Sequence, residues 1–262
     1  MSPRIGAAAI ERLKERLARL EPRTKLKRVS SPVIGGRDEP VWRDLAPGAL
    51  HEIAGSDWRD GAAASFYALA MASRLAHARR GDLVIVSLKS DARDAGLLYA
   101  PKGALCGVDA MRIALCFAGD VETLLWAAED AARSPSVAAL IIETCKPHRL
   151  LNLTATRRLQ LAAEASGATP ILLRSAHDSA ASSAFRRLRV TPAPSAADSY
   201  DAAAPGRLRW RVAIERCRLG NCGEWIVEWD DETGELKEAP ALYVPRPAAL
   251  ADRSADARAR IA

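Results

Sequence analysis

Short apolar runs alternate with longer helical stretches through the middle of the chain. The apolar runs lie at residues 49–54, 83–88, 112–116, 138–142 and 170–174, and the helical stretches at 62–80, 91–99, 120–133 and 153–167. Continuous apolar strands separated by helices are typical of a parallel sheet that helices cover on both faces. The pattern therefore predicts an α/β fold from about residue 45 onward.

The pattern changes towards the C-terminus. Residues 186–190, 207–214 and 224–229 alternate apolar and polar side chains with a period of two. This alternation is typical of half-exposed antiparallel strands. Residues 191–206 predict a mobile loop, and residues 230–234 predict a turn. We therefore expect one core over residues 45–239, in which a mostly parallel sheet continues into antiparallel C-terminal strands.

The two ends of the chain differ from this core. Residues 1–22 contain an amphipathic helix with an apolar stripe, and Pro22 ends it. The stripe consists of Ile10, Leu13, Leu17 and Leu20. It either packs on its own core or serves a partner, and the pattern favours neither. Residues 23–44 form a basic linker, and residues 240–262 form a proline-containing tail that we expect to be disordered or weakly helical.

Composition narrows the class of protein. The 262 residues are 49% hydrophobic and carry a net charge of +6, compatible with nucleic acid, an acidic partner or a solvated basic surface. The five cysteines form no C-x-x-C pair, so we expect reduced thiols of a cytoplasmic protein and no metal site. No run approaches the ~18 apolar residues of a membrane span, so we expect a soluble protein.

Residues 52–65 resemble a phosphate-binding loop without its reactive side chains. A strand, a glycine-containing turn and an alanine-rich helix follow one another, as in the motif G-x-x-x-x-G-K-[ST]. Here Gly55 and Gly61 are one position too far apart, and Ala62 and Ala63 replace the Lys and Ser/Thr. The sequence therefore predicts a degenerate nucleotide site, no cofactor and no ATPase activity.

Acidic side chains strengthen this interpretation. One carboxylate about 4 Å from a phosphate costs ~4 kcal/mol at an effective dielectric near 20, and a helix dipole returns only ~0.3–1 kcal/mol. Asp57 and Asp60 lie in the turn, and we expect Asp60 to cap the following helix. Glu143 ends an apolar strand, where it either organises Mg²⁺ or pairs with an arginine. No second acid is expected directly after strand 83–88.

Several segments resemble one bacterial family. They are LAPGALHEIAG (45–55), LLYAPKGALCGVD (97–109), LIIET (140–144), ILLR (171–174) and RLRWRVAIERCRLGNCGEWIVEWDDETG (207–234). The last of these is the most specific. Together they resemble the ImuA family of damage-inducible mutagenesis proteins, whose members have a RecA-like core of the P-loop NTPase class.

The resemblance implies a non-catalytic accessory or scaffold role in SOS-induced, error-prone translesion DNA synthesis. Its implied partners are an ImuB-like protein, RecA and an error-prone replicative-type polymerase subunit. Two alternatives remain open at this point. One is a weak, DNA-stimulated RecA-like ATPase, and the other is a self-assembling structural protein.

Arginines supply the remaining candidate contacts. A stripe for weak DNA binding comprises Arg186, Arg187, Arg189, Arg207, Arg209 and Arg211. These residues could equally be outward-facing strand positions. By resemblance to RecA, Arg216 and Arg218 match two lysines that reach a neighbouring subunit's ATP phosphates, which predicts capping of a RecA filament. The alternative is an exposed strand whose arginines pair with Glu215, Glu224 or Glu228.

Overall fold

The computed structural model describes residues 45–96, 110–175, 180–197, 201, 204–218, 222–230 and 232–239. The predicted N-terminal helix with Ile10, Leu13, Leu17 and Leu20, the basic linker and the C-terminal tail lie outside the described residues.

The described residues form strands and helices in regular alternation, followed by strands alone. The strands are β1 His51–Ala54, β2 Asp82–Leu88, β3 Ile113–Ala118, β4 Val137–Thr144, β5 Thr169–Arg174, β6 Arg186–Ala193, β7 Arg209–Cys217, β8 Gly223–Asp230 and β9 Glu235–Glu238. The helices are α1 Gly61–Arg79, α2 Lys89–Ala95, α3 Val121–Arg133 and α4 Leu153–Ser166, with 3-10 turns at Trp58–Asp60 and Ala110–Arg112.

All of these strands join in one sheet. Their order is β3-β2-β4-β5-β1-β6-β7-β8-β9. Every pairing from β3 to β6 is parallel, and every pairing from β6 to β9 is antiparallel. The predicted α/β fold, mostly parallel with antiparallel C-terminal strands, is confirmed. β1 lies between β5 and β6, so the loop that follows β1 emerges near the middle of the sheet.

Helices cover both faces of the parallel part. α1 packs on one face, where Ala64, Ala68 and Ala72 are fully buried against the sheet. Alanine has no side chain beyond Cβ, so α1 approaches the strands closely. α3 and α4 cover the other face, where Leu140 and Leu159 belong to a second apolar core.

Aromatic residues connect α1 to the antiparallel strands. Phe66 stacks on Trp210 of β7, with 5.5 Å between ring centroids, and meets Trp229 of β8 edge-on. Tyr67 is fully buried and also contacts Trp210 edge-on. Because α1 packs against both halves of the sheet, the parallel and antiparallel strands share one continuous core.

Several boundaries depart from the sequence prediction. β6 runs to Ala193 and so takes the first residues of the predicted loop 191–206, because β7 pairs with it along this length. Strand β9 was not predicted, because ELKE has only one apolar side chain, Leu236, and gives no periodic signal. The helix expected over 91–99 begins earlier, at Lys89, and ends at Ala95. Among the helices described, none combines the length and the apolar character needed to cross a bilayer.

Candidate functional site

In the turn between β1 and α1, backbone N–H groups donate hydrogen bonds to carboxylates of the same turn. Asp57 Oδ1 accepts a hydrogen bond from the backbone N–H of Arg59 at 2.7 Å, which caps the short 3-10 turn. Asp60 Oδ2 accepts one from the backbone N–H of Ser56 at 3.2 Å. The expected cap of α1 by Asp60 is therefore wrong, since its side chain makes no bond to the first turn of that helix. It points back into the loop instead.

Gly55 lies where the loop folds tightly onto β5. A Cβ placed on Gly55 would lie 2.8 Å from the carbonyl oxygens of Asp57 and Ser175 and from Cβ of Asp60. Any side chain there would force the loop open. At Gly61 the nearest atom to such a Cβ, in Ser175, is 3.6 Å away, which is an ordinary contact. Of the two glycines of the degenerate motif, only Gly55 is required by packing.

The one cation of this loop is engaged within it. The Arg59 guanidinium lies 5.5 Å from the centroid of the Trp58 ring and 3.8 Å from the Asp57 carboxylate. Trp58 itself is 74% exposed. The loop therefore presents an aromatic ring to solvent, and its positive charge is partly offset by an acid two residues earlier.

A pair of acids lies at the same edge of the sheet, beyond β5. Glu143 is the penultimate residue of β4, and Asp91 lies in the first turn of α2, which follows β2. Burial raises the pKa of the Glu143 carboxyl above its usual value, and the charge of Asp91 adds to this effect. Asp91 is only 6% exposed, and its Oδ2 accepts a hydrogen bond from the backbone N–H of Cys145 at 2.8 Å.

From the sequence, no acid was expected directly after strand 83–88, where residues 87–89 are Ser, Leu and Lys. Asp91 nevertheless reaches this end of the sheet from the helix that follows. Since α2 begins at Lys89, its first turn brings Asp91 back over the end of β4. Across the described residues, no group of three or more His, Cys, Asp or Glu side chains is arranged to hold a metal ion.

Two arginines of the candidate DNA stripe lie in the interior. Arg187 Nε is 2.7 Å from Glu52 Oε2, and this glutamate side chain is 4% exposed. Arg174 of β5 approaches the same carboxylate at 3.9 Å. Arg186 is 3% exposed and lies over the ring of Phe185. Arg186 and Arg187 are therefore placed to hold the junction of β1 and β6 together rather than to meet a ligand in solvent.

The other four arginines of the stripe lie next to acids on or beside β7 and β8. Arg189 pairs with Glu215 at 2.7 Å, Arg209 with Glu228 at 2.6 Å, and Arg211 with Glu224. We call these three pairs the arginine–glutamate ladder. Arg207 lies 3.3 Å from Asp230, whose pKa is lowered first by its hydrogen bond from Lys237. Positive and negative charges alternate here, so the surface has little net field.

Arg216 and Arg218 have other partners than those considered from the sequence. Both are exposed, yet Arg216 donates to the carbonyl of Ser182 at 3.3 Å and Arg218 to that of Ser183 at 2.8 Å. Ser183 also donates its backbone N–H to Thr156 Oγ1 of α4. The two arginines thus fasten the segment before β6 to β7. The glutamates proposed as their partners are held by the ladder arginines instead.

Comparison with known proteins identifies the family. No protein-family model matches the chain. Two relatives named Protein ImuA, from strains NA1000 / CB15N and ATCC 19089 / CIP 103742 / CB 15 of Caulobacter vibrioides, are each 33% identical over 224 residues. The alignment covers 81% of this chain and 84% of each relative. The chain belongs to the ImuA family.

Among solved structures, this ImuA family member is similar to the crystal structure of the RadB recombinase. The TM-score is 0.46 with 14% sequence identity, over 74% of this chain and 92% of that one. Within this chain, neighbouring residues link the loop to the acid pair. Gly55 packs on Ser175, Ser175 interacts with the Cys145 thiol and lowers its pKa against the larger effect of burial, and the Cys145 backbone N–H donates to Asp91.

Proposed function

We propose that this protein is a non-catalytic accessory or scaffold protein of SOS-induced, error-prone translesion DNA synthesis. The observation that carries the proposal is the β1–α1 loop of an ImuA family member, in which Asp57 and Asp60 hold backbone N–H groups that a phosphate would need. The fold is retained, but in the loop at which related folds bind nucleotide, backbone N–H groups are hydrogen-bonded to carboxylates of the same loop.

The loop disfavours nucleotide for two further reasons. Ala62 and Ala63 supply neither the positive charge nor the Mg²⁺ ligand of a working loop. An incoming phosphate would also meet the carboxylates of Asp57 and Asp60, a repulsion of about 4 kcal/mol per close charge at an effective dielectric near 20. Both effects support a role that depends on protein contacts rather than on ATP.

The surface offers large apolar side chains for such contacts. Trp58 is 74% exposed at the loop, Trp126 is 65% exposed on α3, and Leu153 is 53% exposed on α4. Tryptophan is enriched among the residues that dominate binding energy at protein interfaces. These positions support contacts with other proteins. The proposed partners are an ImuB-like protein, RecA and an error-prone replicative-type polymerase subunit, as the family resemblance implies.

A binding experiment with purified partners tests this function. The full chain should retain the ImuB-like protein and RecA, and Trp58→Ala or Trp126→Ala should weaken one of these complexes at least tenfold. Leu208→Ala, an exposed apolar position on the antiparallel side, is the matched control. Absence of binding to both partners by the folded wild type would contradict the proposal.

The experiment should also use a shortened chain that ends at residue 239 and so lacks the C-terminal tail. Leu236 is 1% exposed and pairs with Trp229 of β8, so a cut at 236 would remove β9 from the core. The chain ending at residue 239 keeps the last strand. Loss of binding in that shortened chain would then assign the contact to the tail rather than to a damaged fold.

A weak, DNA-stimulated ATPase is a second candidate, and the acid pair favours it. Asp91 and Glu143 lie together at the ends of β2 and β4, where acids of catalytic relatives of this fold class organise Mg²⁺ and water. Phosphate release should be measured with and without single-stranded DNA, for wild type and for Glu143→Gln. Release that DNA stimulates and that Glu143→Gln abolishes would replace the accessory role with this one.

A further inference from the structure

Strand β3 is the outer strand at one end of the sheet that the described residues form. It lies at the end of the sheet and, in the described residues, pairs only with β2. Its sequence, IALCFA, contains no charge, no proline and no glycine. Outer strands usually carry such residues because an open row of N–H and C=O groups attracts other strands. Leu115 and Phe117 are nevertheless 44% and 39% exposed.

We propose that β3 pairs with the β3 strand of a second copy of this chain, antiparallel and about a two-fold axis. In such a pair, directly opposite residues lie on the same face of the extended sheet, which restricts the register. One allowed register places Cys116 opposite Cys116. Leu115 of each copy then lies opposite Phe117 of the other copy, on the face of the sheet opposite to Cys116. Each of the two exposed apolar side chains is thereby covered by the other.

The charges that flank β3 favour this register together with the apolar side chains. With Cys116 on the axis, Arg112 lies opposite Asp120 of the second copy, and the symmetry repeats the pair. Arg112 is half-exposed and contacts Asp82 at 3.1 Å, while Asp120 is held in place by accepting the Thr123 N–H at 2.7 Å. With Leu115 on the axis, Arg112 would lie opposite Ala118 and Asp120 opposite Ala110, without any charge pairing. With Phe117 on the axis, Arg112 would lie opposite Glu122, but Leu115 would lie opposite Gly119 and lose its apolar partner.

Self-complementarity favours a second copy over an unrelated strand. From N- to C-terminus, the edge carries Arg112, an apolar strand and Asp120. A second copy that runs antiparallel presents the same residues in reverse order, so each arginine faces an aspartate and the apolar strands face each other. Isologous contacts of this kind close into dimers rather than growing into filaments. A two-fold dimer covers both β3 edges, whereas a head-to-tail filament would leave one β3 edge uncovered at its end.

Cross-linking and solution mass test the dimer. Antiparallel neighbours have Cα atoms about 4.5–5.5 Å apart, which lies within disulfide range. Mild oxidation of wild type should yield a covalent dimer. Cys116→Ser should abolish it, and Cys222→Ser, at another exposed cysteine, should not. Sedimentation should show a concentration-dependent species of twice the 28.1 kDa chain mass.

Charge on the apolar edge should separate the copies. Leu115→Lys should raise the dissociation constant of the dimer by about tenfold or more, because the substitution enters the interface twice. Leu161→Lys, at a similarly exposed leucine on α4, is the control and should leave it unchanged. A monomer at all concentrations, oligomers that grow without limit, or a dimer indifferent to Leu115→Lys would each overturn the inference.

Discussion

Asp60 Oδ2 lies 3.2 Å from the backbone nitrogen of Ser56 and accepts its hydrogen bond, inside the turn that joins β1 to α1. In phosphate-binding loops, N–H groups at this place point towards the ligand. Here the protein supplies an anion from within the same turn. An external phosphate would therefore have to displace a carboxylate that is tethered a few residues away.

Binding of Mg-ATP should consequently be very weak. We expect calorimetry to find no dissociation constant tighter than about 1 mM, or roughly −4 kcal/mol. Ala62→Lys alone should not create an ATPase, because Gly55 and Gly61 remain one position too far apart for the motif. A micromolar constant for the wild type would contradict the proposed loss of the nucleotide site.

Much of the fold was predictable because its signals are local. The apolar runs that became β2, β4 and β5 are continuous, and the period of two in RLRWRVAI marks β7 as half-exposed. The degenerate loop was recognisable because glycines and their spacing are read directly from sequence. β9 was missed because a four-residue strand with one apolar side chain depends on its neighbour β8 for its conformation.

The partners of charged residues were not predictable, because they depend on strand order. Glu52 and Arg187 are 135 positions apart and meet only because β1 and β6 are neighbours in the sheet. The six arginines appeared as one basic stripe in sequence. Strand pairing divides them between the interior, as for Arg186, and the ladder, as for Arg211.

The buried pair of Glu52 with Arg187 should matter for stability. Glu52→Gln removes the carboxylate that pairs with largely buried Arg187, and breaking a buried pair in this way costs about 3–5 kcal/mol. Glu224→Gln, which removes the partner of half-exposed Arg211, should cost less than about 1 kcal/mol. Urea denaturation measures both. Equal midpoints for the two variants would show that the Glu52 pair is not important for folding.

Acid should destabilise the protein through His51. Burial lowers the pKa of His51 to about 3; the hydrogen bond from Nε2 to the Ala46 carbonyl opposes this effect, and the charge of Arg186 reinforces it. In the unfolded chain the His51 imidazole has a pKa near 6.5, so it binds a proton at pH values where the folded protein keeps it neutral. Stability contributed by neutral His51 is therefore complete above about pH 6.5 and declines as pH falls towards 3, by up to ~1.4 kcal/mol per unit.

The matched variant is His51→Gln, which can still donate to Ala46 but cannot titrate. Its unfolding free energy should vary less with pH than that of wild type between about pH 5 and 6.5, because both proteins carry the same carboxylates and differ only in the titrating imidazole. Parallel curves for the two proteins in that window would rule out His51 as the source of the acid sensitivity.

The arginine–glutamate ladder should suppress DNA binding. Replacing Glu215, Glu224 and Glu228 by glutamine releases Arg189, Arg209 and Arg211 from their acids. We expect the triple variant to bind single-stranded DNA about tenfold more tightly at low salt, with a steeper dependence on salt concentration, because more phosphates are then neutralised. Fluorescence anisotropy with a labelled oligonucleotide measures both quantities.

A change of net charge alone must be separated from release of the ladder. The control replaces three exposed acids of α3 and α4, Glu122, Asp130 and Glu164, by their amides and changes the net charge equally. It should leave DNA affinity near that of wild type. The same gain in both triple variants would mean that the overall charge, and not this surface, governs the contact.

Arg216 and Arg218 provide a test of contact with RecA. Replacing both by alanine removes hydrogen bonds to the carbonyls of Ser182 and Ser183, each worth about 0.5–1.5 kcal/mol, so the variant should melt a few degrees lower yet remain folded. If these exposed guanidinium groups also cap a RecA filament, wild type should shorten filaments and reduce their ATP turnover, whereas the double alanine variant should not.

Structural loosening and loss of capping must be distinguished in that experiment. Ser183→Ala removes the hydroxyl that Arg218 contacts at 3.3 Å but keeps both guanidinium groups, so it should retain the wild-type effect on filaments. Replacing both arginines by lysine keeps the charges without the bidentate geometry and should give an intermediate effect. Equal filament lengths with wild type and the double alanine variant would leave these arginines with only their role in fastening the segment before β6.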